Sequence, residues 1–108
     1  MFLTVAQRGE IEASRRAEAA KLACVSLSEH ARRLGGRYIL YGSAARGTMG
    51  RESDMDILLD FPSGSEAEAW RAAEAVCREH DMPHDIMPMA WTEPRFVEKV
   101  LQEGIVLE

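Results

Sequence analysis

Cysteine, tryptophan and tyrosine are scarce in this sequence, with two of each among 108 residues. Cys24 and Cys77 lie in helix-like segments with no Cys or His at ligand spacing, which excludes a thiolate metal centre. They read as small buried hydrophobes in a reducing cytoplasm. No window approaches the ~18 apolar residues of a membrane span. The start, Met1-Phe2-Leu3-Thr4-Val5-Ala6, lacks the basic region of a secretory signal. Positive charge is in deficit: 13 Lys and Arg stand against 18 Asp and Glu, a net charge of −5. That excludes a general nucleic-acid binder, which needs a basic surface. It does not exclude a nucleotide ligand, because a metal ion can carry the local positive charge. A Walker phosphate loop, a Gly-x-Gly-x-x-Gly string and a Ser–His–Asp arrangement are also missing.

What is present fits one globular domain. Apolar residues make up 46% of the chain. A domain of this length buries roughly 60–70% of the surface its unfolded form exposes, so it needs no staples. Gln7 to Leu34 reads as a long helix with an intermittent stripe of Ile11, Leu22, Val25, Ala31 and Leu34. Its arginines, interleaved with glutamates, read as a solvated face. Gly35-Gly36 supplies the stop. Arg37 to Tyr41 and Asp54 to Phe61 read as strands, joined by a Gly42-Ser43 turn, one helical turn and a polar loop. In the second strand Asp54, Asp56 and Leu58 share one face, and Met55, Ile57 and Leu59 the other.

Ser65-Glu66-Ala67-Glu68 reads as a capping box opening a helix to about His80, with Trp70, Ala73 and Cys77 inward. His84 to Met87 is the third strand, which Pro88 ends or confines to a sheet edge. Thr92 is placed as the cap of a last helix with Pro94 in its first turn. Phe96, Val97, Val100 and Leu101 form its stripe and Gly104 stops it. Ile105 to Leu107 makes a final short strand. The resulting order, α-β-turn-β-α-β-α-β, predicts an α/β (α+β) fold: a small mixed β-sheet flanked by helices.

The chemistry concentrates in Gly42-Ser43-Ala44-Ala45-Arg46-Gly47 and Ser53-Asp54-Met55-Asp56. A phosphate needs outward N–H groups and no Cβ in its way. Gly42 permits that approach, and Ser43 adds a hydroxyl donor. Asp54 and Asp56, at i and i+2 of a strand, lie roughly 6.6–6.8 Å apart along the backbone and point the same way. Like charges on one face repel unless a cation sits between them. Hard oxygen ligands beside a phosphate-receiving turn predict a Mg²⁺–nucleotide site. Two such ions about 3.5–4 Å apart can clamp an in-line displacement at phosphorus. Asp60 reads as structural. Arg78 and His84 match a HEPN ribonuclease spacing by chance, since Pro83 intervenes.

Gly42-Ser43, ten residues, then Asp54-Met55-Asp56 resembles the signature of the polymerase-β-like nucleotidyltransferase superfamily. The fuller string, Tyr41 to Gly47 with Ser53 to Leu59, is similar to its minimal nucleotidyltransferase branch. The resemblance implies a polymerase-β-like nucleotidyltransferase fold, with residues 1–36 an N-terminal helix and 37–108 a catalytic α/β core. It implies a third carboxylate on a later strand, for which Asp85 is the candidate and Asp81 the rival. Asp85 would then join Asp54 and Asp56 on the metal and accept the proton of the attacking hydroxyl. Arg46 matches the family's arginine and either contacts phosphate or braces the acidic strand. Gly42, Ser43, Arg46 and Ser53 form the implied nucleotide side, with Ser53 shaping the loop that orients Asp54.

Together these readings predict a Mg²⁺-dependent transfer of AMP from ATP to a hydroxyl. The resemblance implies an antitoxin whose acceptor is a tyrosine of a partner HEPN-domain toxin. Two alternatives stand beside it. One is a non-catalytic module that neutralises a basic partner by binding. The other keeps the chemistry but changes the acceptor to a small molecule such as an aminoglycoside, or to an RNA end. Drug-modifying relatives carry an added helical domain, for which this chain has no room.

Overall fold

Thr4 starts the first helix. Its hydroxyl accepts the Gln7 N–H at 3.0 Å, and the Gln7 side chain accepts the Thr4 N–H at 2.8 Å. This reciprocal cap sets the start two residues ahead of the sequence-based expectation, and α1 spans Val5–Leu34. The computed structural model describes residues 2–108. Gly35 ends α1 in the left-handed conformation, φ 76°, and donates to Ala31 O. Then follow β1 (Arg37–Tyr41), α2 (Gly42–Arg46), β2 (Met55–Asp60), α3 (Glu66–Glu79) and β3 (His84–Pro88). A 3₁₀ turn over Met89–Trp91, α4 (Pro94–Glu103) and β4 (Ile105–Leu107) complete the chain. No described helix is long and apolar enough to cross a membrane.

The four strands form one mixed sheet in the order β3-β2-β1-β4. β1 runs antiparallel to both neighbours, and β2 pairs with β3 in parallel through the α3 crossover. The expected α/β architecture is the one observed. β3 is an edge strand and Pro88 is its last residue, so the missing N–H of proline costs no ladder bond.

The two sheet faces are unequal. Tyr38, Leu40, Met55, Ile57, Leu59, Ile86 and Leu107 lie in the main core with α1 and α3. Ile39 and Leu58 lie on the other face with Val100 of α4. The alternation expected along β2 is therefore present, and Asp56 shares the thinly covered face with Leu58. The Tyr38 hydroxyl donates to Ala69 O at 2.8 Å, which satisfies a phenol inside the core.

Three local expectations fail. The buried side of α1 is Ala19, Ala20, Ala23, Leu27 and Ala31. Ile11, Leu22 and Val25 are 56%, 59% and 60% exposed. α3 faces α1 with Ala69, Ala73, Val76 and Cys77, and two helices approach closely only where side chains are small. Four of the five inward residues of α1 are alanine, with Leu27 the exception, so small size weighs more than hydrophobicity in the stripe.

Ser65 precedes α3 with helical backbone, and its hydroxyl donates back to Pro62 O at 3.3 Å. Glu68 pairs with Arg33 at 2.8 Å, so the expected capping box does not form. The N-cap of α4 is Glu93, with Pro94 at the first helical position. Thr92 Oγ1 instead donates to Met89 O at 2.8 Å and closes the 3₁₀ turn.

These placements predict opposite outcomes for two neighbouring residues. Ala23→Leu overpacks the α1–α3 contact and should cost about 1–3 kcal/mol. Leu22→Ala should change stability by no more than about 0.5 kcal/mol. Urea unfolding of both variants decides it, and the reverse ranking would refute the alanine face.

Candidate active site

Strand register brings the acidic residues together. Asp56 lies opposite Tyr41 of β1 on one side and opposite Asp85 of β3 on the other. Asp54 stands just before the first residue of β2. Because β2 and β3 are parallel, both carboxylate-bearing segments enter the sheet at the same end. That end also holds the C-terminus of β1, from which the Gly42 turn departs. The Met55 N–H donates to Pro83 O at 2.9 Å, locking the two strand starts together.

Gly42 adopts φ 72°, a conformation that side chains disfavour. A Cβ there would also strike Asp56 Oδ2. The Asp56 carboxylate thus rests directly against the backbone of the Gly42-Ser43 turn, and nothing larger than glycine fits. Ser43 follows at half-buried depth in α2, a helix with no side-chain N-cap bond. Its carbonyl accepts from Thr48 at 3.0 Å, which curls the chain back toward β2.

Burial raises the Asp56 carboxyl above its ordinary value, Asp85 and Asp54 push it further, and Arg46 opposes them. Burial, Asp56 and Asp85 push the Tyr41 phenol up to about 12. Among the described residues, no ion pair within 4 Å neutralises Asp54, Asp56 or Asp85, whereas Glu12, Glu18, Asp60, Glu68 and Glu74 are all paired. An unneutralised set of carboxylate oxygens fits a hard divalent cation. Among the described residues no three His, Cys, Asp or Glu side chains are grouped so as to hold a metal ion between them.

The other predicted residues are placed as follows. Arg46 is exposed in the last turn of α2 and acts on Asp56 from beyond ion-pair distance. Ser53 Oγ accepts the Gly50 N–H at 2.7 Å, and the Ser53 N–H returns to Gly50 O at 3.2 Å, so its polar groups build the loop before Asp54. Asp81 sits in a left-handed turn after α3, φ 50°, where its carbonyl accepts from Arg15 at 3.0 Å. Asp60 forms a cross-strand pair with Arg37 at 2.6 Å. Arg78 and His84 lie on different elements, α3 and β3. Cys77 is buried, Cys24 half-buried, and burial raises both thiols, leaving them unreactive.

Two features escaped the sequence reading. Tyr41 shares the acidic face and makes a T-shaped contact with Phe96 of α4, ring centroids 5.5 Å apart. Strand parity with Ile39 could have flagged it. The arginines of α1 are not all solvated: Arg16 is 16% exposed and donates to Ser53 O at 2.7 Å. No sequence signal names a carbonyl as a partner.

A glycine turn thus seats on a strand carboxylate, with a second carboxylate in register beside it. The family model described as Nucleotidyltransferase domain matches residues 24–107, most of the chain and all of this site. The chain belongs to the nucleotidyltransferase domain family. Nucleotidyltransferase domains generally use a nucleoside triphosphate and a divalent metal, and the four-stranded mixed sheet is consistent with their fold. Nucleotidyl transfer is the class of reaction that membership carries. No curated protein matches the chain.

The raised Asp56 carboxyl fixes the sign of a stability change. The folded state holds this proton to higher pH than the unfolded chain does, so the folded state loses stability as pH rises through the carboxylate range. Without divalent ions, Asp56→Asn should melt a few degrees above wild type at pH 7, and the gap should close at pH 3. A lower melting temperature for Asp56→Asn at pH 7 would refute the electrostatic reading.

Proposed function

We propose that this nucleotidyltransferase moves AMP from ATP to a tyrosine hydroxyl of a partner HEPN-domain toxin, and so acts as an antitoxin in the cytoplasm. The observation that carries the chemical part is the seating of Asp56 against Gly42 with Asp85 in register beside it. The partner and its tyrosine rest on the resemblance to minimal nucleotidyltransferases. They are supported by the exposure of Asp54 and Asp85, which leaves the acidic end open to an acceptor carried by a large molecule.

In this reading Asp54, Asp56 and Asp85 hold Mg²⁺. Bound there, it supplies charge neutralisation for the triphosphate and a lowered pKa for the acceptor hydroxyl. The Gly42-Ser43 turn receives the phosphates, with N–H groups of the turn and the Ser43 hydroxyl as donors. Arg46, at the rim and on the same acidic field, meets phosphate charge at range. The acceptor oxygen forms a bond to the α-phosphorus as the bond to the bridging oxygen breaks, and pyrophosphate leaves. Asp85, exposed at the edge strand, takes the hydroxyl proton. Positioning and charge neutralisation supply most of the acceleration, as in phosphoryl transfer generally.

The test is ATP labelled at the α-phosphate, with Mg²⁺ and cell lysate. Wild type should label one protein band on tyrosine, and Asp54→Ala/Asp56→Ala should label none. Gly42→Ala, which displaces the Asp56 carboxylate, should lower transfer about a hundredfold. Label on RNA would keep the chemistry and replace the acceptor. Absence of both label and ATP binding would overturn the enzyme reading in favour of a neutralising binding module.

A further inference from the structure

Glu12, Arg15 and Arg16 lie outside the matched family segment, which begins at residue 24. They nevertheless reach the two chain segments that feed the acidic site. Arg16 Nη1 donates to Ser53 O at 2.7 Å, one residue before Asp54. Arg15 Nη1 donates to His80 O at 3.2 Å and Nη2 to Asp81 O at 3.0 Å, at the start of the connection that leads to Asp85. Glu12 Oε1 joins the two guanidinium groups, accepting from Arg15 Nη2 at 2.7 Å and from Arg16 Nε at 3.0 Å. One carboxylate thus orients two arginines, and each arginine holds a different loop.

We propose that Glu12, Arg15 and Arg16 form a positioning clamp that holds Asp54 and the turn leading to Asp85 in place beside Asp56. The inference rests on the assignment of those three aspartates as a divalent-cation site.

The physical need is specific. Asp85 lies opposite Asp56 in the ladder, and Asp54 stands one residue before β2, so three like charges share one sheet end and repel. Neither Asp54 nor the turn at Asp81 lies within a strand, so the ladder alone does not hold them. Charge-assisted bonds from arginine to backbone carbonyls are strong and directional. The planar fork lets Arg15 pair with both Glu12 oxygens and still donate to two carbonyls, a fixed geometry that a point-like lysine ammonium does not offer. Glu12 stays ionised throughout, because its bonds to Arg15 and Arg16 hold its carboxyl down to about 2. The carbonyl of Asp81 also belongs to the only left-handed non-glycine residue among the described residues. A turn of that kind persists only when its surroundings hold it.

Mn²⁺ titrated into ¹⁵N-labelled protein reads the site through broadening of amide signals near Tyr41, Asp56 and Asp85. Amide hydrogen exchange reads the two loops independently of any ligand. Arg16→Ala should speed exchange over residues 50–55 and leave 80–85 unchanged. Arg15→Ala should do the reverse, and Glu12→Gln should speed both. Each should weaken Mn²⁺ binding about tenfold, as loss of supporting partners does at metal sites. Arg33→Ala, which removes an α1–α3 ion pair elsewhere, should leave Mn²⁺ affinity unchanged. Arg16→Lys keeps the charge, covers the case in which the alanine variant folds poorly, and should also bind Mn²⁺ more weakly. Faster exchange with unchanged Mn²⁺ affinity would reduce the cluster to a plain structural tie and overturn the clamp. Unchanged exchange would overturn it directly. Failure of wild type to bind Mn²⁺, or equal binding by Asp56→Asn, would instead refute the cation site on which the clamp rests.

Discussion

The burial of the Asp56 carboxylate against Gly42, with Asp85 opposite it and Asp54 nearby, is the constraint that the surrounding structure answers. Asp54, Asp56 and Asp85 meet at one end of a four-stranded sheet, without an ion pair among the described residues. Left alone, such a cluster disfavours the fold that creates it. The surrounding structure answers from three sides. The β2–β3 ladder holds Asp56 opposite Asp85. The bare backbone of Gly42 accommodates the Asp56 carboxylate. The arginines of α1 hold the loops leading in.

The two sheet faces divide the labour. α1 and α3 cover one face and contain the larger core, including a hydrogen-bonded Tyr38. α4 covers only part of the other, against Ile39 and Leu58. On the same face Tyr41 packs against Phe96 of α4, while Asp56 is half-buried and Asp85 exposed. A third helix laid along the whole face would have buried the carboxylates. α4 is short, with one buried residue, Val100, and Asp85 stays exposed on this face.

Much of this was legible before any coordinates. The strands showed in their β-branched and aromatic runs. The period-two pattern of β2 assigned Asp56 to the face opposite Met55, Ile57 and Leu59. Gly42-Ser43 and Asp54-Asp56 stood out because their residue types and spacing serve one chemistry. Other features depended on what lies across space. The inward face of α1 was misread because Leu22 and Val25 outrank alanine in hydrophobicity, while close approach of α3 favours the alanines at 19, 20, 23 and 31. The Ser65–Glu68 cap failed because Pro62 and Arg33 compete for its two ends. The opposition of Asp56 and Asp85 depends on how far the α3 crossover carries the chain. The partnership of Arg16 with a backbone carbonyl has no sequence signature.

The parallel pairing of β2 with β3 also has a kinetic meaning. Parallel neighbours cannot be joined by a tight turn, so Asp56 and Asp85 meet only after the whole of α3 has folded back across the sheet. Contacts so distant along the chain form late, because loop-closure entropy must be met before they are rewarded. β1 and β2 alone bring together Gly42 and Asp56 but leave the carboxylate set incomplete. The meeting of Asp56 with Asp85 therefore depends on the α3 crossover being in place, whereas that of Gly42 with Asp56 does not.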